Sequence, residues 1–434
     1  MKAASLANHD ATVLNYSQVT DSWQQKIARL GLESLNDLDN PEQILLVTPN
    51  NITALAEVVK TAIANKWQLI PSGNGSKLDW GELTTNVDLI VSTQKCDRII
   101  AHAVDDLTVT VEAGITLAQL QAKLKEHNQF LPIDPAFPQE ATIGGILATA
   151  DTGSWRQRYG GIRDLVLGIS FVRGDGAITK AGGKVVKNVA GYDLMKLLIG
   201  SYGTLGIITE ATFRTYPIPE NSQTVTITGQ AQAIAEAIKQ FKNSGLTPTA
   251  ADLISPNVSQ KLALGNSYTL VMRFQTIPES IAAQTKQLEA MVANLETTVN
   301  VYQTEKEVAL WQQIKQIRLP DNDEVTICKL GILPTQAIEL FEQLNQQDNS
   351  YQGIVHLGSG LGIIKFNNTN PETIKTVRNY CQTHSGFLSI LSAPQTLKQQ
   401  LEIWGYQGNA LSMMQTIKAK FDPQGVFNSD RYLV

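Results

Sequence analysis

The stretch Trp67-Gln68-Leu69-Ile70-Pro71-Ser72-Gly73-Asn74-Gly75-Ser76-Lys77 passes from an apolar run directly into a glycine turn. The apolar part reads as a buried strand. The turn behind it is able to expose several backbone N–H groups in succession, and such a nest holds a phosphate without net positive charge. It is not a dinucleotide fingerprint, because the G-x-G-x-x-G spacing fails and no helix signal opens behind it. Nor is it a P-loop, since Lys77 lacks the preceding glycine frame. Alone, it reads first as an ordinary turn.

Outward from this loop, Leu45-Leu46-Val47 precedes Thr48-Pro49-Asn50-Asn51, a helix start followed by Ile52, Leu55, Val58, Val59, Ala62 and Ile63 at helical spacing. Val87 to Ser92 and Leu107 to Glu112 read as strands, and Thr116 with Gln119 forms a capping box. Four more glycine segments follow in order: Ala141 to Thr149, Arg158 to Leu165, Lys187 to Leu194 and Gly200 to Thr209. Each glycine costs stability unless a close backbone approach repays it. Five such segments together are not incidental.

This ordered set resembles the FAD-binding domain of the vanillyl-alcohol oxidase / p-cresol methylhydroxylase family. Within that family it is most similar to FAD-linked 2-hydroxy-acid dehydrogenases, above all the FAD-binding subunits of bacterial glycolate oxidases. The ending Lys418-Ala419-Lys420-Phe421-Asp422-Pro423-Gln424-Gly425-Val426-Phe427-Asn428 is of the same type. The resemblance implies that Ser72, Gly73, Asn74, Gly75 and Ser76 cradle a pyrophosphate. It implies that Thr142, Gly144 and Gly145 lie along the flavin, that Gly161 and Asp164 contribute from the other side, that Gly206 and Ile207 meet the cofactor through backbone, and that Asn428 approaches the flavin edge. Two departures stand out. Ser72 and Asn74 replace the family's usual arginine and central glycine, and Ser76 stands where covalent members place a histidine, so non-covalent FAD is expected.

The implied fold is α+β: a two-lobed PCMH-type FAD-binding domain over residues 40–219, after a polar lead-in at 1–39. From Pro217-Ile218-Pro219 glycine thins and helices alternate with strands, which suggests a smaller α+β cap domain at 220–395. Residues 396–434 are expected to return to the flavin domain. No internal repeat is visible.

With 434 residues, 43% hydrophobic and 17% charged, the chain has the composition of a globular protein. A net charge of −5 leaves no footprint for nucleic acid, and no stretch is apolar enough for a membrane span. Three scattered cysteines give no metal or iron–sulfur spacing. The expected location is therefore cytoplasmic, with membrane association only through partners.

Oxidising a hydroxy acid requires a base and a cation for the carboxylate. Among five histidines, His9, His102 and His127 read as structural, and His384 as a helix-end residue. His356 lies in Val355-His356-Leu357-Gly358-Ser359-Gly360-Leu361-Gly362-Ile363, where catalytic relatives carry His-x-Gly-Asp-Gly-Asn-x-His. Ser359, Leu361 and Ile363 replace the acid, the amide and the second histidine, so no metal is expected. Catalytic residues stay unassigned, with His356, Arg273 and Arg318 as weak candidates. The expected function is an FAD-binding subunit supporting oxidation of glycolate or D-lactate, partnered by a catalytic flavoprotein subunit and an iron–sulfur subunit. A self-sufficient FAD-linked D-2-hydroxy-acid dehydrogenase and a non-catalytic flavin-binding scaffold remain alternatives.

Overall fold

The structure is a computed structural model and describes residues 2–6, 8–30, 44–84, 86–185, 192–347, 350–367, 370–406, 408–428 and 431–432. Residues 187–191 of the fourth glycine segment lie outside this set. The chain divides into two units: Met1–Thr152, Gly161–Ile218 and Tyr406–Val434 form one, and Gly153–Gly160 with Pro219–Gly405 form the other. The C-terminal return therefore begins at Tyr406, and Arg158 to Gly160 of the third glycine segment belong to the second unit.

The first unit has two lobes, each built on its own sheet. In one, the strands run in the order Ala11–Asn15, Leu45–Pro49, Leu89–Ser92, Leu69–Ser72. The last three are mutually parallel, so Ser72 and Ser92 end side by side at the carboxyl edge of the sheet, where ligands bind open α/β sheets. The helix Ile52–Asn65 forms because Asn51 caps it, its side chain accepting from Ala54 N, and because Lys66 in the left-handed region (φ 57°) ends it. Its Leu55, Val58, Val59 and Ala62 recur at helical spacing and are buried in the core beneath this sheet. The lead-in is more structured than its polarity suggests. Ala11–Asn15 pairs antiparallel with Leu45–Pro49, and Leu6 is fully buried.

The second lobe is an antiparallel sheet in the order Ile99–Ala103, Thr108–Glu112, Ile207–Arg214, Val166–Val172, Ile178–Gly182. A register shift at Ile208/Glu210 bends the third strand just beyond Ile207. The helix Ile143–Thr149 packs on this lobe. The glycine segment Ala141 to Thr149 thus folds as a capped helix, which its glycines did not announce, with Thr142 Oγ1 accepting from Gly145 N at 3.2 Å. Gly144 is needed inside it because a Cβ there would meet Ala113 Cβ at 2.9 Å.

In the second unit, the described residues form one antiparallel eight-stranded sheet in the order Thr297–Gln303, Asn221–Gly229, Tyr268–Thr276, Ala250–Ile254, Gln352–His356, Leu361–Asn367, Val325–Gly331, Phe387–Ser392. Each half runs strand, helix, strand, strand, helix, strand, with the short helix Pro256–Lys261 added between the second and third strands of the first half, and places its four strands in the order 4-1-3-2 read from its outer edge. These are two ferredoxin-like modules joined edge to edge, a repeat of element order that no residue repeat announces. The seam is the pairing of Ala250–Ile254 with Gln352–His356.

Candidate functional site

A cleft lies in the first unit, between its two lobes. It is lined by Ser72 to Leu78 and Thr93 from the first lobe, Thr142, Gly144, Gly145 and Thr149 from the helix of the second, Tyr202 to Ile208 in part, and Asn428 and Arg431 from the C-terminal tail. Of the positions expected from sequence, Ser72, Gly73, Asn74, Gly75, Ser76, Thr142, Gly144, Gly145, Gly206, Ile207 and Asn428 come together here. Gly161 and Asp164 do not. Asp164 turns back to accept from Gly161 N at 2.8 Å, which caps the short helix Ile162–Leu165 and leaves its carboxylate occupied locally.

The loop from Ser72 to Ser76 owes its shape to its carbonyls. Ser72 O accepts from Thr93 N (2.9 Å), Gly73 O from Ser92 Oγ (2.7 Å), Asn74 O from Lys26 Nζ (2.9 Å) and Gly75 O from Leu78 N (3.3 Å). With those oxygens tied outward, the amides of Gly73, Asn74, Gly75 and Ser76 donate to no acceptor among the described residues. Successive amides of this kind bordering a cleft are an anion cradle. Gly73 is required here, since its Cβ would come 2.0 Å from Thr142 Oγ1. The two lobes approach each other through that missing side chain.

Charge arrives from places the sequence reading did not find. Lys26, on the helix Asp21–Ala28, reaches the loop from the lead-in, and Gly75 packs against Lys26 and Trp23. Lys77 is buried with Asp151 at 2.7 Å, and Asp151 also accepts from Ala136 N. Arg431 is buried and donates to Trp80 O. Burial draws its guanidinium down to about 10, opposed by Asp79. These cations offset the loss of an arginine at Ser72. Lys26 and Arg431 escaped notice because they meet the loop only in space, whereas Lys77 directly follows it in sequence.

The tail is held by one carboxylate. Asp422 accepts from Val426 N at 2.9 Å, from Phe427 N at 2.8 Å and from Lys418, whose ammonium also donates to Thr204 O and Phe427 O. The resulting turn lays Phe427 beside Leu69, with Leu69 N bonded to Val426 O and Asn428 N to Leu69 O. Asn428 then donates from Nδ2 to Tyr202 O at 2.6 Å, while its buried Oδ1 has no partner among the described residues. A buried acceptor left open in a cleft is a place for a ligand donor. Removing it in Asn428→Ala should weaken binding of the expected FAD roughly tenfold, the effect of one hydrogen bond, as read by fluorescence of released flavin.

In the second unit, Arg273 is consumed by its surroundings. Its Nε donates to Glu307 Oε1 (2.9 Å) and Ser222 Oγ (3.0 Å), and its guanidinium covers the Trp311 ring. Arg318 is buried at the end of the helix Thr304–Ile317. His356 is buried and bonded to Asp252. Among the described residues no group of three or more His, Cys, Asp or Glu is placed to hold a metal ion, and no helix is long and apolar enough to cross a membrane.

A two-lobed domain with an amide cradle, glycine faces and an open acceptor suits a ligand that carries an anionic group. Comparison with known proteins names that ligand. Residues 44–182 match the sequence family described as FAD binding domain. It is 39% identical over 171 residues to glycolate oxidase subunit GlcE of Escherichia coli (39% of this chain, 48% of that protein) and 31% identical over 198 residues to glycolate oxidase subunit GlcD of Bacillus subtilis (44% and 42%). The match thus spans less than half the length of either subunit. D-2-hydroxyglutarate dehydrogenase of Stutzerimonas stutzeri is 25% identical over 422 residues, covering 89% of this chain and 90% of that one. In fold, the chain is similar to a glucooligosaccharide oxidase from Acremonium strictum (TM-score 0.72, 15% identity, 99% and 97% coverage) and to an alkyldihydroxyacetonephosphate synthase (0.68, 17%, 88% and 76%).

Proposed function

We propose that this chain is the FAD-binding subunit of a complex that oxidises glycolate or another small 2-hydroxy acid, such as D-lactate, to the 2-oxo acid. The observation that carries the proposal is the cleft itself, assembled from three of the five glycine segments through which the chain resembles glycolate oxidase subunits. In this reading the amides of Gly73 to Ser76 hold the pyrophosphate, and Thr142, Gly144 and Gly145 border the flavin. Gly206 and Ile207 present backbone to it, and Asn428 Oδ1 accepts from it. Bound FAD supplies the two-electron acceptor for the substrate C–H. Partner subunits, one a catalytic flavoprotein and one carrying iron–sulfur centres, carry electrons onward. Arg273, locked by Glu307, is poorly suited to bind a substrate carboxylate, which favours dependence on a partner.

The flavin is held non-covalently. Attachment needs a nucleophile, and the described residues lining the cleft include neither histidine nor cysteine. Cys96, behind Thr93, is buried with its thiol pushed up to about 11 by that burial, so it offers no thiolate. Acid precipitation should leave the yellow colour in the supernatant. Colour retained in the pellet would refute non-covalent binding.

A second reading, a self-sufficient dehydrogenase, is favoured by the end-to-end similarity to D-2-hydroxyglutarate dehydrogenase. The two separate cleanly. Purified chain is mixed anaerobically with glycolate, D-lactate and D-2-hydroxyglutarate while its flavin spectrum is recorded. Bleaching only after partner subunits are added supports the subunit; bleaching by the chain alone supports the dehydrogenase. Failure of all three acids in the assembled complex rejects both.

A further inference from the structure

The polar lead-in and the loop from Ser72 to Ser76 are joined at a single peptide unit. Asn74 O accepts from Lys26 Nζ at 2.9 Å, and the N–H at the other end of that unit belongs to Gly75, which lines the cleft. Cis peptide bonds are absent among the described residues, so the C=O and N–H of the unit point in opposite directions. The ammonium therefore stands behind the loop, and the Gly75 N–H points away from it. Among the described residues that N–H donates to no acceptor. Hydrogen-bonded groups in series polarise one another. A cation held on Asn74 O thus leaves the Gly75 amide hydrogen more positive.

The surroundings hold the lysine in that place. Gly75, at a left-handed φ of 74°, packs so closely that an added Cβ would come 3.1 Å from both the Lys26 stem and the Trp23 ring. The Trp23 ring lies 5.8 Å from the ammonium. The helix Asp21–Ala28 that carries both is anchored through Ile27, buried with Val19, Leu30 and Leu78. From the other side, Asn74 Nδ2 donates to Glu140 O at 3.0 Å. Glu140 Oε2 lies 3.5 Å from the ammonium, but its side chain is 58% exposed. An ion pair so open to water is weak. Lys26 also lies outside residues 44–182, so the family match gives it no role.

We propose that Lys26 is a positioning residue for the cofactor pyrophosphate, acting through the Asn74–Gly75 peptide, which it polarises so that the Gly75 amide donates more strongly to a phosphate oxygen. The inference rests on the pyrophosphate lying in this loop, as proposed above. Through one peptide and two hydrogen bonds, the ammonium acts on a phosphate oxygen from roughly 8 Å. That is about one Debye length at physiological salt. Its effect must therefore fade as salt rises, whereas a purely mechanical brace would be insensitive to salt.

The test titrates the full chain, stripped of flavin, with FAD and with riboflavin, which has the flavin ring but no phosphate. Lys26→Met should weaken FAD binding roughly tenfold in low salt, through loss of a unit charge at that distance. At about 1 M salt, where the screening length is near 3 Å, the loss should shrink below about threefold. Lys26→Gln keeps an N–H for Asn74 O without the charge and should behave like Lys26→Met. Lys26→Arg keeps the charge and should bind FAD close to the parent. Riboflavin should be indifferent to all three. Full FAD affinity in Lys26→Gln or Lys26→Met overturns the inference, and so does a loss that persists at high salt, since the lysine would then only brace the loop. Should riboflavin bind the parent as tightly as FAD, the placement of the pyrophosphate itself falls. A preference for FAD that no Lys26 variant alters sinks this inference alone.

Discussion

Gly73→Ala is expected to abolish retention of FAD through purification. The added Cβ would lie 2.0 Å from Thr142 Oγ1 and 2.7 Å from its Cγ2, well inside contact. Neither side has slack. Thr142 caps the helix Ile143–Thr149 through Gly145 N, and Gly73 O is bonded to Ser92 at the end of a core strand. Overpacking of a rigid site costs about 1–3 kcal/mol, and here it falls between the amide cradle and the glycine face. At the upper end that is roughly a hundredfold in affinity. Titration of stripped protein with FAD reads the effect. Gly245→Ala, where no atom lies within 4 Å of the new Cβ, is the control and should bind as before. Adding Thr142→Ala to Gly73→Ala removes the Oγ1 and Cγ2 clashes at a cost of about 1 kcal/mol for the lost cap. The pair should therefore bind FAD better than Gly73→Ala alone, a non-additivity expected only of groups in contact. Unchanged affinity in Gly73→Ala would show that the lobes are not locked through this position.

The glycine segments were legible because turn chemistry is local: Pro71 to Ser76 carries its own backbone requirement, whatever surrounds it. Thr142 to Thr149 was misread because two glycines mask a helix whose start signal is one threonine. Asp164 was credited with a cofactor role that its spacing to Gly161 already fills, since a carboxylate at the third helical position caps its own helix. The contacts that escaped entirely are long-range. Lys26 meets Asn74 across 48 residues, Ser154 meets Asp252 across 98, and Asp252 meets His356 across 104. No window of sequence contains such a pair. The two ferredoxin-like modules escaped for a related reason, as their likeness lies in strand order and not in residues. His356, judged against a metal motif, looked degraded; its partner came from another strand.

Asp422→Ala carries the largest expected loss of stability. Its two oxygens receive Val426 N, Phe427 N and the Lys418 ammonium, all nearly out of solvent, with side-chain exposures of 0% for Asp422 and 13% for Lys418. Removing the carboxylate leaves two backbone donors and a cation unmatched, and breaking a buried pair in this way costs about 3–5 kcal/mol. Because Val426 and Asn428 bond to Leu69 in the strand that leads into the phosphate loop, thermal stability and FAD affinity should fall together. The loss should also depend on pH in a particular direction. Burial already holds the Lys418 ammonium below its usual range, with Asp422 acting against that shift. Without Asp422 the depression deepens. A lysine whose folded pKa lies below its unfolded value makes the unfolded chain the better proton binder, so folding is favoured as pH rises through that window. The deficit of Asp422→Ala relative to the parent should therefore be greatest near neutrality and shrink toward alkaline pH. Paired denaturant titrations measure it, and a deficit that grew with pH would mean Lys418 is not the charge left exposed. Lys418→Met should restore part of the stability of Asp422→Ala, since an apolar chain of similar length no longer needs a counter-ion.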